Sequence, residues 1–410
     1  MSVKIVRFIC FWILFSLLFS LLNLASSMRE DRWKDFYNLP RDSLDVLFMG
    51  NSHNYVAVQP QIIDEIVPVR SYVIGGGAEN VVLSYFELKE VLRYQHPQMV
   101  VLETFTLDLN DEFMPTQNYF GFLDSGPWDA NKTAVAARYL SPEEWYMLFP
   151  PLRTRMEWSS PHMFFAALTN SFRDFISPAL DPGLGAAPLN AVIPEADYQT
   201  ARITTVTDFP QPSPEITLYL DRIRELCREN DIQLVLATIP MVNKTQSTAG
   251  RYAPFDAEKY ASDHKIPLLV NDPEMFNHLH FAEYAHLNRF GSLIVSTQMA
   301  QQVAVLLNLP VDVERLEYYQ NFMFADYSLK QENGRYTLRL IPLNSTADLE
   351  YNFSVTDPGL PDPLFRSGWT TDDEFSFTLD RDGRYDINVA IRNPDGEYIL
   401  SATFVLEKKD

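Results

Sequence analysis

The sequence predicts an α/β protein: a parallel sheet with helices on both faces, preceded by an apolar helix and followed by a β-sandwich. Three observations predict it. An unbroken, mostly apolar stretch follows Lys4 and Arg7; short apolar runs then alternate with segments of helical period; and from about Tyr327 short alternating runs are separated by turn signals. The implied boundaries are an anchor over 1–27, a linker over 28–43, an α/β domain over 44–310 with an insertion at about 108–212, and a β-sandwich over 325–410. A length of 410 residues suits two domains.

The apolar stretch from Phe8 to Ala25 would rise roughly 27 Å as a helix, enough to span a hydrocarbon layer. With Lys4 and Arg7 at its short end, the expectation is a single-pass cell-membrane anchor with the main domains outside the cytoplasm. The alternative is a cleaved leader, for which Leu24-Ala25-Ser26-Ser27 offers small residues.

Asp45-Val46-Leu47-Phe48-Met49 reads as a buried strand ending at Gly50, and Ser71-Tyr72-Val73-Ile74 as a second, closed by Gly75-Gly76-Gly77. Between Ala78 and Gln95 the residues Val81, Tyr85, Leu88 and Leu92 mark one helix face. Gln98 to Leu102 is a third strand. After the aromatic- and proline-rich insertion, Ser213-Pro214 caps and opens a helix with Ile216, Leu220, Ile223 and Cys227 on one side and Asn230-Asp231 at its end. Ile232 to Ile239 and Ile266 to Val270 read as further strands, and Gly291 to Leu307 as a final helix. Beyond Tyr327, the turns Glu332-Asn333-Gly334, Asp382-Gly383 and Asn393-Pro394-Asp395-Gly396 separate roughly seven short strands, the pattern of an immunoglobulin-like sandwich.

Composition narrows the function. A formal charge of −21 repels phosphate backbones and argues against nucleic acid as a partner. The two cysteines, Cys10 and Cys227, lie in the apolar run and in a helix, so no disulfide between them is expected, and no C-x-x-C occurs.

Gly50-Asn51-Ser52-His53 directly follows the first strand, where open α/β sheets place ligands. Alone, Ser52 reads equally as a turn residue or a helix cap. Shortly before the last helix comes Glu283-Tyr284-Ala285-His286-Leu287-Asn288. A serine needs a base to take its proton, and the base works best when a carboxylate holds its other nitrogen, which Glu283 can supply to His286 from the same loop.

Together, Leu47-Phe48-Met49-Gly50-Asn51-Ser52-His53 and Glu283-x-x-His286-Leu287-Asn288-x-x-Gly291 resemble the first and last blocks of the SGNH/GDSL hydrolase superfamily. The likeness is to its exported branch, which includes polysaccharide O-acetyltransferases and the D-alanyl transfer protein of teichoic-acid synthesis. It covers about Leu44 to Leu307, with Tyr85-Phe86-Glu87-Leu88-Lys89-Glu90 and Val100-Val101-Leu102-Glu103 among the matching stretches. The resemblance implies a flavodoxin-like three-layer SGNH fold, acylation of Ser52, His286 as base and then acid, and Glu283 as the group orienting His286. It also implies an oxyanion hole drawing on the backbone N–H of Ser52 and Gly75. Two departures stand out: Glu283 replaces the usual aspartate, and the third strand leads into Glu103-Thr104-Phe105-Thr106 where the family has G-x-N-D. Asn80 is the expected substitute for the missing asparagine, with Asn51 as the other candidate.

The expectation is therefore an exported serine acyl-esterase or O-acyltransferase acting on a cell-surface polysaccharide or teichoic-acid-like polymer. It needs no cofactor, and in transfer it would work with a membrane acyltransferase partner. The competing reading is a non-catalytic envelope-assembly or glycan-binding protein on the same scaffold. His278, His280, Glu283 and His286 form a cluster with metal-ligand chemistry, and His278-Leu279-His280 at strand spacing would put both rings on one side. No metal is expected, because Glu283 and His286 serve the relay. Gly75-Gly76-Gly77 lacks the Lys-Ser/Thr of a phosphate loop. Trp128, Trp145 and Trp158 in the insertion suit core or lid packing, or stacking on sugars.

Overall fold

The computed structural model describes residues 3–26, 31–110, 116–153, 183–203, 210–243, 253–344 and 348–408. Much of the insertion, Trp158 with it, lies outside them, as do the side chains around the Leu24–Ser27 leader motif. The chain divides into two compact units: Met1–Pro40, Phe86–Tyr94 and Pro115–Asp181 form one, and Arg41–Tyr85, Gln95–Met114 and Pro182–Asp410 the other.

In the first unit a helix runs over Val3–Ser26, about 36 Å at 1.5 Å per residue. Its Lys4–Asn23 segment is long and apolar enough to cross a membrane, and none of it is buried. Arg289–Leu307 passes the same length test, but 67% of it is buried, which makes it a core helix. The rest of this unit gathers around Trp33, whose ring lies 5.4 Å from Phe36 and 5.1 Å from Phe122, and whose indole N–H donates to Glu87 at 3.3 Å. Lys132 is fully buried, and its ammonium donates to the carbonyl of Ser125. Burial pushes the Lys132 amine down to about 8.

The second unit holds the strands β1 (Val46–Met49), β2 (Ser71–Ile74), β3 (Met99–Glu103), β4 (Ala191–Val192), β5 (Gln233–Ala237) and β6 (Leu268–Leu269). All but β4 form a parallel sheet in the order β2-β1-β3-β5-β6. This is the doubly wound order in which the switch point falls beside β1. Every residue of β1, β2 and β3 is buried, as expected for strands covered on both faces. The Ser213 cap is observed, with its hydroxyl accepting from the Glu215 amide at 3.3 Å, and the following helix spans Pro214–Glu229. The helix expected between Ala78 and Gln95 is shorter, Val81–Val91, and the Ile266–Val270 strand is reduced to β6. Hydrophobic pattern marks an apolar run, whereas ladder pairing decides how much of it is strand.

Seven further strands follow: β7 (Phe324–Glu332), β8 (Arg335–Pro342), β9 (Glu350–Thr356), β10 (Phe365–Thr370), β11 (Glu374–Thr378), β12 (Gly383–Arg392) and β13 (Ile399–Lys408). They form a three-stranded sheet β11-β8-β7 and, with β4, a five-stranded sheet β10-β9-β12-β13-β4. The first hairpin turns through Asn333 (φ 51°) and Gly334 (φ 79°), the left-handed pair a tight hairpin requires. Aromatic rings join the sheets face to face: Phe353 stacks on Phe375 at 5.4 Å, and Tyr327 lies 4.7 Å from Phe404. The sandwich and the parallel sheet share one core, through Phe290 and Phe324 at 5.4 Å and through β4, which lies on the chain leading to the parallel sheet but pairs with β13.

Candidate active site

Ser52 is the first residue of a helix, Ser52–Ala57, that leaves the carboxyl end of β1. Asn51 caps it, its side-chain oxygen accepting from the His53 amide at 3.0 Å. Two glycines make this corner possible. A Cβ at Gly50 would sit 2.7 Å from the Glu103 Cβ and 2.9 Å from that of Asn54. Gly75, at φ +138°, packs its backbone directly on the Gly50 carbonyl, and any side chain there would overlap that oxygen. The β1 and β2 ends are thus brought together at the backbone, beside Ser52.

Across from them a loop presents His286. Its Nε2 lies 2.7 Å from the Ser52 hydroxyl, which donates to it, and its Nδ1–H donates to the Glu283 carboxylate. The second Glu283 oxygen accepts from the Ala285 amide at 3.0 Å. Burial raises the Glu283 carboxyl, but the His286 and Ala285 hydrogen bonds and the His286 charge outweigh it and hold the group below the ordinary carboxylate range. The loop is closed at its base: the Ala282 amide donates to the His286 carbonyl at 2.9 Å and the Asn288 amide to that of His280 at 3.0 Å. Asn288 is the hub. Its Oδ1 caps the Arg289–Leu307 helix, and its amide donates to the carbonyls of Leu279 (2.7 Å), Ala191 (3.0 Å) and Phe281 (3.2 Å).

The structure thus brings Ser52, His286 and Glu283 into one hydrogen-bonded line. Asn80 spends its side-chain oxygen on capping the Val81–Val91 helix, accepting from the Leu83 amide at 3.2 Å. Asn51 caps in the same way, and the side-chain amide nitrogens of Asn51 and Asn54 are buried donors with no hydrogen-bond partner among the described residues. Glu103 at the end of β3 is buried and caps the turn that follows, accepting from the Phe105 amide at 2.7 Å.

Three features take their roles only from the structure. His53 is buried, stacked on Phe105 at 4.2 Å and edge-on to His286 at 5.0 Å. Glu79 fastens the glycine turn, accepting from the Gly76 amide at 2.6 Å and the Ser84 hydroxyl at 2.7 Å. Asn288 is the third; the sequence shows it only as part of a motif.

The expected strand spacing of His278 and His280 is not observed: the two lie on a 3₁₀ turn capped by Asn277, because this segment bends into the relay loop and pairs with no strand. Both His280 nitrogens are engaged, Nδ1 accepting from the Asn277 amide at 3.0 Å and Nε2–H donating to the Phe324 carbonyl at 3.1 Å. His278 sits 3.4 Å from Asp326. Among the described residues no group of three or more His, Cys, Asp or Glu side chains is arranged to hold a metal ion. Cys227 is a buried free thiol, pushed up to about 12 by burial. Trp128 and Trp145 are exposed, the former donating to Thr133 at 3.0 Å.

No family model and no curated protein matches the chain. Among solved structures it is similar to a candidate acylhydrolase of Bacteroides fragilis, at 14% identity over 66% of this chain and 93% of that one, with a TM-score of 0.30. It is also similar to a GDSL-like lipase of Bacteroides thetaiotaomicron, at 13% identity over 66% and 94%, TM-score 0.29. A third likeness, to domains d3–d4 of the rat CD45 extracellular region, spans 20% of this chain and 47% of that one at 14% identity and a TM-score of 0.17. Likenesses of this depth bear on neither activity nor substrate, which must be read from the residues themselves.

Proposed function

We propose that this chain is an SGNH-type serine enzyme of acyl-ester chemistry, an esterase or O-acyltransferase working through an acyl-Ser52 intermediate. The observation that carries the reading is the His286 Nε2 at 2.7 Å from the Ser52 hydroxyl with its other nitrogen on Glu283. In the first half-reaction the Ser52 oxygen attacks the ester carbonyl carbon as its proton passes to Nε2. The resulting tetrahedral oxyanion collapses, the C–O bond breaks, and His286 returns the proton to the leaving alkoxide. In the second half water or a sugar hydroxyl gives its proton to His286, attacks the acyl carbon, and Ser52 leaves with that proton. Glu283 holds the imidazole and balances the imidazolium formed in each half. We assign the oxyanion to the Ser52 and Gly75 amides, with a side-chain N–H of Asn51 or Asn80 as the third donor; the buried Asn51 Nδ2, which has no partner among the described residues, favours Asn51.

The substrate class that fits an enzyme held at a membrane by Lys4–Asn23 is an acyl ester on a cell-surface polysaccharide or teichoic-acid-like polymer. We place the Ser52 domain outside the cytoplasm, with a membrane acyltransferase supplying the acyl group if transfer is the reaction. A fluorophosphonate probe tests the core of the proposal: it should label the wild type and not Ser52→Ala. Absence of labelling in folded wild type would favour the non-catalytic reading, for which Glu103 in place of an oxyanion asparagine is the supporting observation. Comparing acylated-glycan formation with free-acid release then separates transfer from hydrolysis.

A further inference from the structure

The outward face of the five-stranded sheet carries a concavity of about 320 Å³, remote in sequence from Ser52. Strand alternation decides what lines it. Tyr351, Phe353 and Val355 of β9 and Ile387, Val389 and Ile391 of β12 turn into the core, so their neighbours turn outward. The registers then align these neighbours in rows, since paired residues share a face. One row runs from Arg366 through Ser354 and Asn388 to Thr403; the next runs from Trp369 through Asn352 to Ser401 on the same four strands. Four strands at about 4.8 Å spacing make each row roughly 14 Å long.

The chemistry of these rows is uneven in sign. The chain carries a formal charge of −21, yet no Asp or Glu lines the concavity, while Arg366 does. Arg366 is exposed and has no carboxylate partner among the described residues. At the far end Asn190 is held by Arg289, whose Nε donates to it at 2.7 Å. Arg392, in the following row, is neutralised by Glu350 at 2.7 Å and stacks on the half-exposed Trp369 at 4.0 Å. Asn388 and Thr403 are mutually oriented by a 2.9 Å hydrogen bond.

We propose that this face binds a carboxylate-bearing polysaccharide. The Arg366 fork matches a sugar carboxylate, while Ser354, Asn352 and Ser401, which combine donor and acceptor atoms, match hydroxyls, and Trp369 packs on a ring at the border. The polar rows lack the apolar centre of a protein interface. Binding here is independent of acyl chemistry at Ser52, although a polymer held on this face would concentrate acyl groups near an esterase.

Native affinity electrophoresis of the detergent-solubilised full chain tests it, with polygalacturonate in one gel and uncharged hydroxyethylcellulose in another. A protein of this net charge is repelled by a polyanion at long range, so retardation reports a local site. We expect retardation at least threefold greater in polygalacturonate, reduced tenfold in apparent affinity by Arg366→Gln and by Trp369→Ala, and unchanged in Ser52→Ala. Equal mobility in the two gels, or undiminished retardation of Arg366→Gln, overturns the proposal. Because Arg366 is exposed its replacement leaves the core intact, and because Ser52→Ala is read in the same gels, failure of acyl-enzyme labelling leaves this outcome interpretable.

Discussion

Replacing Glu283 by Gln removes the charge of the relay together with one of its two acceptor oxygens. Glutamine keeps one oxygen, which can still accept from the Ala285 amide as the carboxylate does at 3.0 Å, so the loop should hold its shape, but its NH2 then faces His286 and cannot accept the Nδ1–H. With that acceptor goes the negative charge beside the imidazolium that forms when Ser52 loses its proton. Two unit charges about 4 Å apart at an effective dielectric of about 20 attract by roughly 4 kcal/mol. The Glu283 side chain is 40% exposed and that of His286 25%, so solvent screens part of this. An estimate of about 3 kcal/mol remains, which is about 150-fold in kcat/KM. The assay is hydrolysis of an activated acetate ester, followed as kcat/KM, with the rate of fluorophosphonate labelling as a second readout. The thermal midpoint should move by no more than a degree or two. A fall of less than threefold in both readouts, in protein of unchanged midpoint, would refute the assignment of Glu283.

Further outcomes follow from other parts of the structure. Asn51→Ser keeps a cap oxygen for the His53 amide but removes the buried amide donor, so kcat should fall about 100-fold with stability unchanged; an undiminished kcat would assign the third donor elsewhere. Gly75→Ala, placed at φ +138° against the Gly50 carbonyl, should destabilise by about 3 kcal/mol in urea titration, and an unaltered midpoint would contradict the close approach of the two backbones. His280 is neutral in the fold because burial pushes it down to about 4, its two hydrogen bonds only partly opposing this. The unfolded chain therefore binds the extra proton between about pH 6.5 and 4, and stability is lost as pH falls through that window, by about 3 kcal/mol. His280→Gln should flatten that slope in urea titrations run across the window.

Much of this protein is written locally. The strands β1 and β2, the Ser213 cap, the Asn333-Gly334 turn and the N-terminal apolar helix each follow from a few adjacent residues, because burial on both faces, capping and left-handed turns act over one or two turns of chain. Ser52, Glu283 and His286 were also legible, as two short blocks with the residue types a proton relay needs. The sequence could not say that they meet. That required the doubly wound order to place the β1 end opposite the loop before the last helix, and Asn288 to tie that loop to Leu279, Phe281 and Ala191. The same long-range packing turned the expected His278–His280 strand into a 3₁₀ turn and left the Asn51 side-chain nitrogen buried with no partner among the described residues. It also drew β4 away to pair with β13, joining the sandwich to the parallel sheet in one core. Local pattern determines which groups can do chemistry; whether their atoms come within hydrogen-bonding distance depends on backbone approaches such as Gly50 on Gly75, set by residues far apart in sequence.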